Sequence, residues 1–152
     1  MKLSVVSTLY ESKVFLDEFL VEIEKAIKLI QIEDYELVFV NDGSPDESLF
    51  RLINLKKEKY PKIKIIDLSR NFGHHYAMQA GLIEAKGDLI FLIDNDLETH
   101  PNILVNFYKT IKEDTTLDVV YGFQKVRKGK FIERILGRLF WSLINKLSDT
   151  KI

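Results

Sequence analysis

The chain has 152 residues, 46% of them hydrophobic and 30% charged, with a formal net charge of −1 and no cysteine. That length supports one domain with a real core. The near-neutral balance excludes a globally basic nucleic-acid binder, so no nucleic-acid partner is expected. The missing cysteines exclude disulfides, thiolate metal centres and cysteine nucleophiles. Met1–Val6 is too short an apolar run for a signal peptide. No run of about 20 apolar residues exists to span a membrane, and the expected location is cytoplasmic.

Strand and helix signals alternate along the chain. Residues 3–8 read as a first strand. Phe15, Leu16, Phe19, Leu20, Ile23, Ile27 and Ile30 recur at helical period over 13–30. Residues 35–40 read as a second strand, followed by the loop 41–46 and a helix to about Lys59. Pro61 breaks the chain before a third strand, 63–68. A helix is expected over 74–85, with Gly87 as its stop. The fourth strand is 88–93, an uninterrupted apolar run of the kind buried on both faces of a sheet. Pro101 suits the first turn of a helix reaching about Glu113, and 118–121 reads as a short fifth strand. This alternation predicts an α/β fold with a mostly parallel sheet.

The last segment differs in character. Seven basic side chains against Glu133 give 125–146 a charge of +6, and apolar residues recur at helical spacing from Phe131 to Leu147. Two readings stand: a helix packed on the core, or one lying on an anionic membrane surface with Trp141 at the interface. The domain is expected to end at 124, with 125–152 opening a C-terminal region that is cut short.

Leu89–Ile93 runs straight into Asp94-Asn95-Asp96. Two carboxylates that close are costly to ionise together unless a cation lies between them. Mg2+ or Mn2+ answers that problem and bridges carboxylates to phosphates. Glu98 alternates in register with Asp94 and Asp96 and is expected to complete a three-carboxylate set. In open parallel sheets, ligands bind beyond the carboxyl ends of the strands. Thr8–Ser12, Asn41–Asp46 and Asp94–Glu98 occupy such ends. Asp42 is read either as an acceptor for a ribose or base N–H or as turn chemistry, and Asp46 as a helix cap. Arg70 is able to pair with a phosphate or an aspartate. His74 and His75 suggest either catalysis or partly exposed helix-start residues; the second reading is favoured, because adjacent histidines seldom face one site and spacing identifies no carboxylate partner for them. The sequence holds no P-loop, no Gly-x-Gly-x-x-Gly after a strand and no Gly-x-Ser-x-Gly.

Together these blocks resemble family 2 glycosyltransferases of the GT-A fold, in particular the polyprenyl-phosphate sugar transferases related to dolichol-phosphate mannose synthase. Ser4–Tyr10 resembles the opening strand and Tyr loop of that group, and Phe39–Asp46 its Val-Asp-Asp-Gly-Ser-x-Asp block. Leu68–Gly73 with Ala80-Gly81-Leu82 resembles a further pattern of the group, and Phe91–Leu97 its Asp-x-Asp strand. The resemblance implies a three-layer sandwich and an inverting, metal-dependent hexosyltransferase. That enzyme would move a sugar from a nucleotide-sugar, UDP favoured, to a polyprenyl phosphate or glycan in cell-envelope polysaccharide synthesis. It would work at the inner face of the cell membrane, and a homo-oligomer is compatible with this reading.

The resemblance also implies residue roles. Thr8, Tyr10, Glu11, Asp42, Asn95 and Arg70 would bind the donor. Asp94, Asp96 and Glu98 would hold Mg2+ or Mn2+. Asp94, Asp96 and Arg127 would be the catalytic residues. Four sites depart from the pattern: Thr8 stands where the family has Pro, Glu11-Ser12 replaces Asn-Glu, Glu98 replaces Gln, and Thr99-His100-Pro101 replaces Asp-Pro-Pro. A rival reading is a catalytically incomplete nucleotide-sugar-binding fragment or interaction module. A more distant one is a Rossmann-like oxidoreductase.

Overall fold

The computed structural model describes residues 1–122. Met1–Val120 forms one compact unit. The expected boundary at 124/125, the basic segment and Arg127 lie outside the described residues.

Eight elements follow in order: β1 (Leu3–Leu9), α1 (Leu16–Leu29), β2 (Tyr35–Asn41), α2 (Ser48–Glu58), β3 (Ile63–Asp67), α3 (His74–Glu84), β4 (Leu89–Leu92) and α4 (Ile103–Glu113). They coincide with the expected elements to within three residues at each end. The four strands form one parallel sheet in the order β3-β2-β1-β4. The chain builds outward from β1 through β2 to β3, then returns to the other side of β1. The strand order therefore reverses at β1, between β2 and β4.

Side-chain parity decides the layers, because residues paired across a parallel register share a face. Odd-numbered residues of β1, β2 and β4 (Leu3, Val5, Leu9, Leu37, Phe39, Phe91 and Ile93) join the main core with buried residues of α1, α2 and α4. In α1 these are Leu16, Phe19, Leu20, Ile23, Ala26 and Ile27, one helical stripe. Phe19 meets Phe39 edge to face, with ring centroids 6.0 Å apart. Each fully buried Leu or Phe of this kind contributes about 1.5–3 kcal/mol.

Even-numbered residues face α3. Gly81 makes that layer thin: a Cβ there would sit 2.5 Å from Val6 Cγ1 and 3.0 Å from Val40 Cγ2. The helix backbone thus rests directly on the sheet. The arrangement is the expected three-layer α/β sandwich.

Two expectations fail. The strand β4 is not buried on both faces. Phe91 and Ile93 are 5% and 6% exposed, but Ile90 and Leu92 are 46% and 36% exposed. The helix α3 packs on β1 and β2 and leaves the β4 margin uncovered. The expected fifth strand at 118–121 does not form. Val119 and Tyr121 are largely exposed there, so the run gains neither a hydrogen-bonded ladder nor apolar burial.

Candidate functional site

Parity also builds the site. Thr8, Asp42 and Asp94 lie just beyond or at the carboxyl ends of β1, β2 and β4, and the helix that follows β3 begins at the same end of the sheet. A cleft opens there at the point where strand order reverses. It is lined by Thr8, Tyr10, Glu11, Ser12, Phe15, His74, Asp94, Asn95 and Asp96, and its volume is about 370 Å3. A smaller recess beside it is lined by Thr8, Tyr10, Asp42, Asn71, Gly73 and His74.

The first loop is held from below. Glu11 adopts a left-handed φ of 51° and its N–H donates to Ser44 Oγ at 2.8 Å. The N–H of Ser12 donates to buried Ser48 Oγ at 2.9 Å. Asp46 accepts from Ser44 Oγ at 2.6 Å, from the Ser48 amide at 3.0 Å and from the Lys13 amide at 3.3 Å. The N-cap position of α2 is Glu47 rather than the expected Asp46; Asp46, one residue earlier, accepts the first helical amide and clamps the first loop. Burial opposes its ionisation. The hydrogen bonds from Ser44, Ser48 and Lys13 outweigh that effect and hold its pKa down to about 2.

Asp42 is 3% exposed. Its Oδ1 accepts the Phe72 amide at 2.7 Å and its Oδ2 the Gly73 amide at 3.0 Å. Gly43 explains why this loop fits so closely, since a Cβ there would meet the Asn71 nitrogen at 2.5 Å and its φ is +61°. The Asn41-Asp42-Gly43 turn is therefore the seat of the 70–73 loop. Arg70 does not line the cleft; its guanidinium lies 4.5 Å from the Phe72 ring centroid.

Asp94, Asn95 and Asp96 continue the alternation of β4, with Asp94 and Asp96 exposed on the cleft and Asn95 buried between them. The Asn95 Nδ2 is buried without a hydrogen-bond partner among the described residues, which is costly unless something accepts from it. Glu98 does not join the set. Leu97 takes a left-handed φ of 61°, which ends the alternation, and the Glu98 amide turns back to donate to Asp96 Oδ1 at 2.9 Å. Among the described residues no three His, Asp or Glu side chains converge as a metal cage. Two exposed carboxylates on a cleft wall still fit Mg2+ or Mn2+, which bind through one or two carboxylates plus substrate phosphates.

His74 opens α3 as expected, and the structure adds a carboxylate neighbour that spacing does not identify. Its Nδ1 is 3.2 Å from Thr8 Oγ1 and its Nε2 is 3.6 Å from Asp94 Oδ1. The only sequence signal was that position 74 opens a helix at the carboxyl end of the sheet. Its partners lie 66 and 20 residues away, a separation no local spacing reveals.

A family model described as glycosyl transferase family 2 matches residues 4–151. The chain belongs to this family. An uncharacterised glycosyltransferase of Bacillus subtilis is 39% identical over 121 residues, covering 79% of this chain and 36% of the relative. An undecaprenyl-phosphate 4-deoxy-4-formamido-L-arabinose transferase of Enterobacter sp. is 34% identical over 143 residues, covering 94% of this chain and 43% of the relative. The chain thus spans less than half the length of these relatives, and its resemblance to the polyprenyl-phosphate group holds. Among solved structures, glucosyl-3-phosphoglycerate synthase of Mycobacterium tuberculosis, crystallised with Mn2+, UDP and glucosyl-3-phosphoglycerate, superposes with a TM-score of 0.65. It is 19% identical over 96% of this chain and 50% of that one, a likeness of fold.

Proposed function

We propose that the protein of which this chain is part transfers a sugar, with inversion, from a nucleotide-diphosphate sugar to a polyprenyl phosphate, and that residues 1–122 form the donor-binding half of its site. The carrying observation is that Asp94 and Asp96 stand together on a cleft at the reversal of strand order. UDP is the favoured nucleotide, and cell-envelope polysaccharide the favoured destination, by similarity to bacterial relatives. Asp94 and Asp96 would hold Mg2+ or Mn2+, whose chemistry there is to offset the charge of the departing diphosphate. Tyr10 and Phe15, on the cleft wall, offer aromatic faces to a base or ribose.

The acceptor needs separate support. A lipid phosphate is largely ionised near neutral pH and attacks without a general base, whereas a sugar hydroxyl needs one. The sequence shows no Asp–His pair, but the structure contains Asp94–His74, so the lipid acceptor rests on the undecaprenyl-phosphate relative rather than on a missing base. Arg127 remains a proposed phosphate contact, and an anionic membrane surface a proposed partner of 125–152.

Calorimetric titration of UDP in the presence and absence of Mn2+ tests this reading. Mn2+-dependent binding is expected in the wild-type chain and a loss of at least tenfold in Asp96→Ala. Equal affinity in that variant sinks the metal assignment. A binding-only role for the chain alone is the second reading, favoured by its span of less than half its relatives.

A further inference from the structure

We propose that His74 is a positioning residue: it ties the Asp94 carboxylate to the hydroxyl of Thr8 and so fixes Asp94 for the metal-bound diphosphate. The inference rests on the donor-binding reading above and assigns a role to two residues outside the Asp-x-Asp motif.

Three separate segments meet in this contact. Thr8 leaves β1, Asp94 leaves β4, and His74 is the first residue of α3, so the imidazole spans the strand-order reversal. Asp94 is an exposed carboxylate at the end of an edge strand and has no other side-chain hydrogen bond or ion pair among the described residues. An unsupported side chain of that kind samples several rotamers, and each ordered contact narrows them.

The chemistry of the three groups orients the ring. An ionised carboxylate only accepts, so Nε2, facing Asp94 Oδ1, must carry the proton. In the neutral ring Nδ1 is then an acceptor, and the Thr8 hydroxyl donates to it. The Nε2–Oδ1 separation of 3.6 Å is an electrostatic contact; it must close by roughly 0.7 Å to reach an ordinary N–H···O length. One carboxylate oxygen of Asp94 then serves the imidazole and the other remains for a ligand. A side chain at position 8 without a hydroxyl, including the Pro that the family resemblance expects there, cannot make the Thr8 contact. Outer-shell partners of this type orient metal ligands, and their loss commonly weakens metal affinity 10–100-fold.

The test uses the 152-residue chain with Mn2+ and UDP as probes. Mn2+ affinity, with and without UDP, is measured by electron paramagnetic resonance for the wild type, His74→Ala, His74→Gln, Thr8→Val and His75→Ala. Imidazole nitrogen NMR reads the His74 tautomer without metal. The Nε2–H tautomer is expected in the wild type. A roughly tenfold weaker Mn2+–UDP complex is expected in His74→Ala, with substantial recovery in His74→Gln, a smaller loss in Thr8→Val and none in His75→Ala. Adding His74→Ala to Asp94→Asn should cost nothing further. An Nδ1–H tautomer overturns the inference. So does undiminished Mn2+–UDP binding in His74→Ala, or a full loss that persists on the Asp94→Asn background. Absence of Mn2+-dependent UDP binding in the wild type overturns the donor-site reading as well, which separates the two failures.

Discussion

At the scale of single residues, two aspartates of the 41–46 turn show how a proposed donor-binding block also serves as architecture. Asp42 satisfies the Phe72 and Gly73 amides while it lines the recess. Asp42→Ala leaves the Phe72 N–H without its acceptor, while the Gly73 N–H keeps Asn71 Oδ1 at 2.9 Å; the orphaned amide costs about 1–3 kcal/mol. A lower melting temperature is expected in the absence of any nucleotide; an unchanged one would mean that Asp42 serves the ligand alone. Asp46 makes a pH-dependent contribution. Its folded pKa lies near 2, below the ordinary 3.8, so the ionised form is the one that folding favours. That stability is fully present above about pH 4 and is lost as pH falls through about 2. Asp46→Asn removes the charge. Denaturant midpoints across this range should decline less steeply for the variant than for the wild type, with a loss on the order of 1 kcal/mol at neutral pH.

At the scale of elements, β4 is the informative case. Its run of apolar residues predicts burial on both faces, yet only the face of Phe91 and Ile93 reaches the core. Phe91 also meets Phe107 of α4 edge to face at 6.2 Å. Phe91→Ala should therefore cost about 3–5 kcal/mol, and Ile90→Ala, 46% exposed, well under half of that. Near-equal losses in chemical denaturation would restore the two-face reading. The contrast explains what the sequence made legible. Period and breakers locate all eight elements, and the strand ends place Thr8, Asp42, Asp94 and Asp96, because these are local properties. The rest depends on non-local geometry. Leu97's left-handed turn removes Glu98 from the carboxylate set. The reach of α3 gives His74 its partner and leaves Ile90 and Leu92 open. A strand at 118–121 needs a neighbour that its own four residues do not specify.

At the scale of the whole molecule, binding and turnover separate. The residues that line the cleft come from the end of β1 and the loop after it, from the segment after β4 and from the start of α3, within Met1–Val120. A nucleotide-sugar needs a sheet end, ligands for a cation and aromatic walls; the cleft offers the sheet end, two exposed carboxylates and the rings of Tyr10 and Phe15. Transfer needs in addition a surface that holds the acceptor phosphate in line with the anomeric carbon, since positioning supplies much of the rate of such displacements. The relatives are more than twice as long as the aligned segment, which leaves room for that surface outside these 152 residues. The expected outcome is that the 152-residue chain binds UDP with Mn2+ but releases no UDP when given a UDP-sugar and a polyprenyl phosphate, and that a longer chain carrying the same cleft does so. Turnover by the 152-residue chain would place the acceptor site within it, with the basic residues of 125–130 as the first to replace.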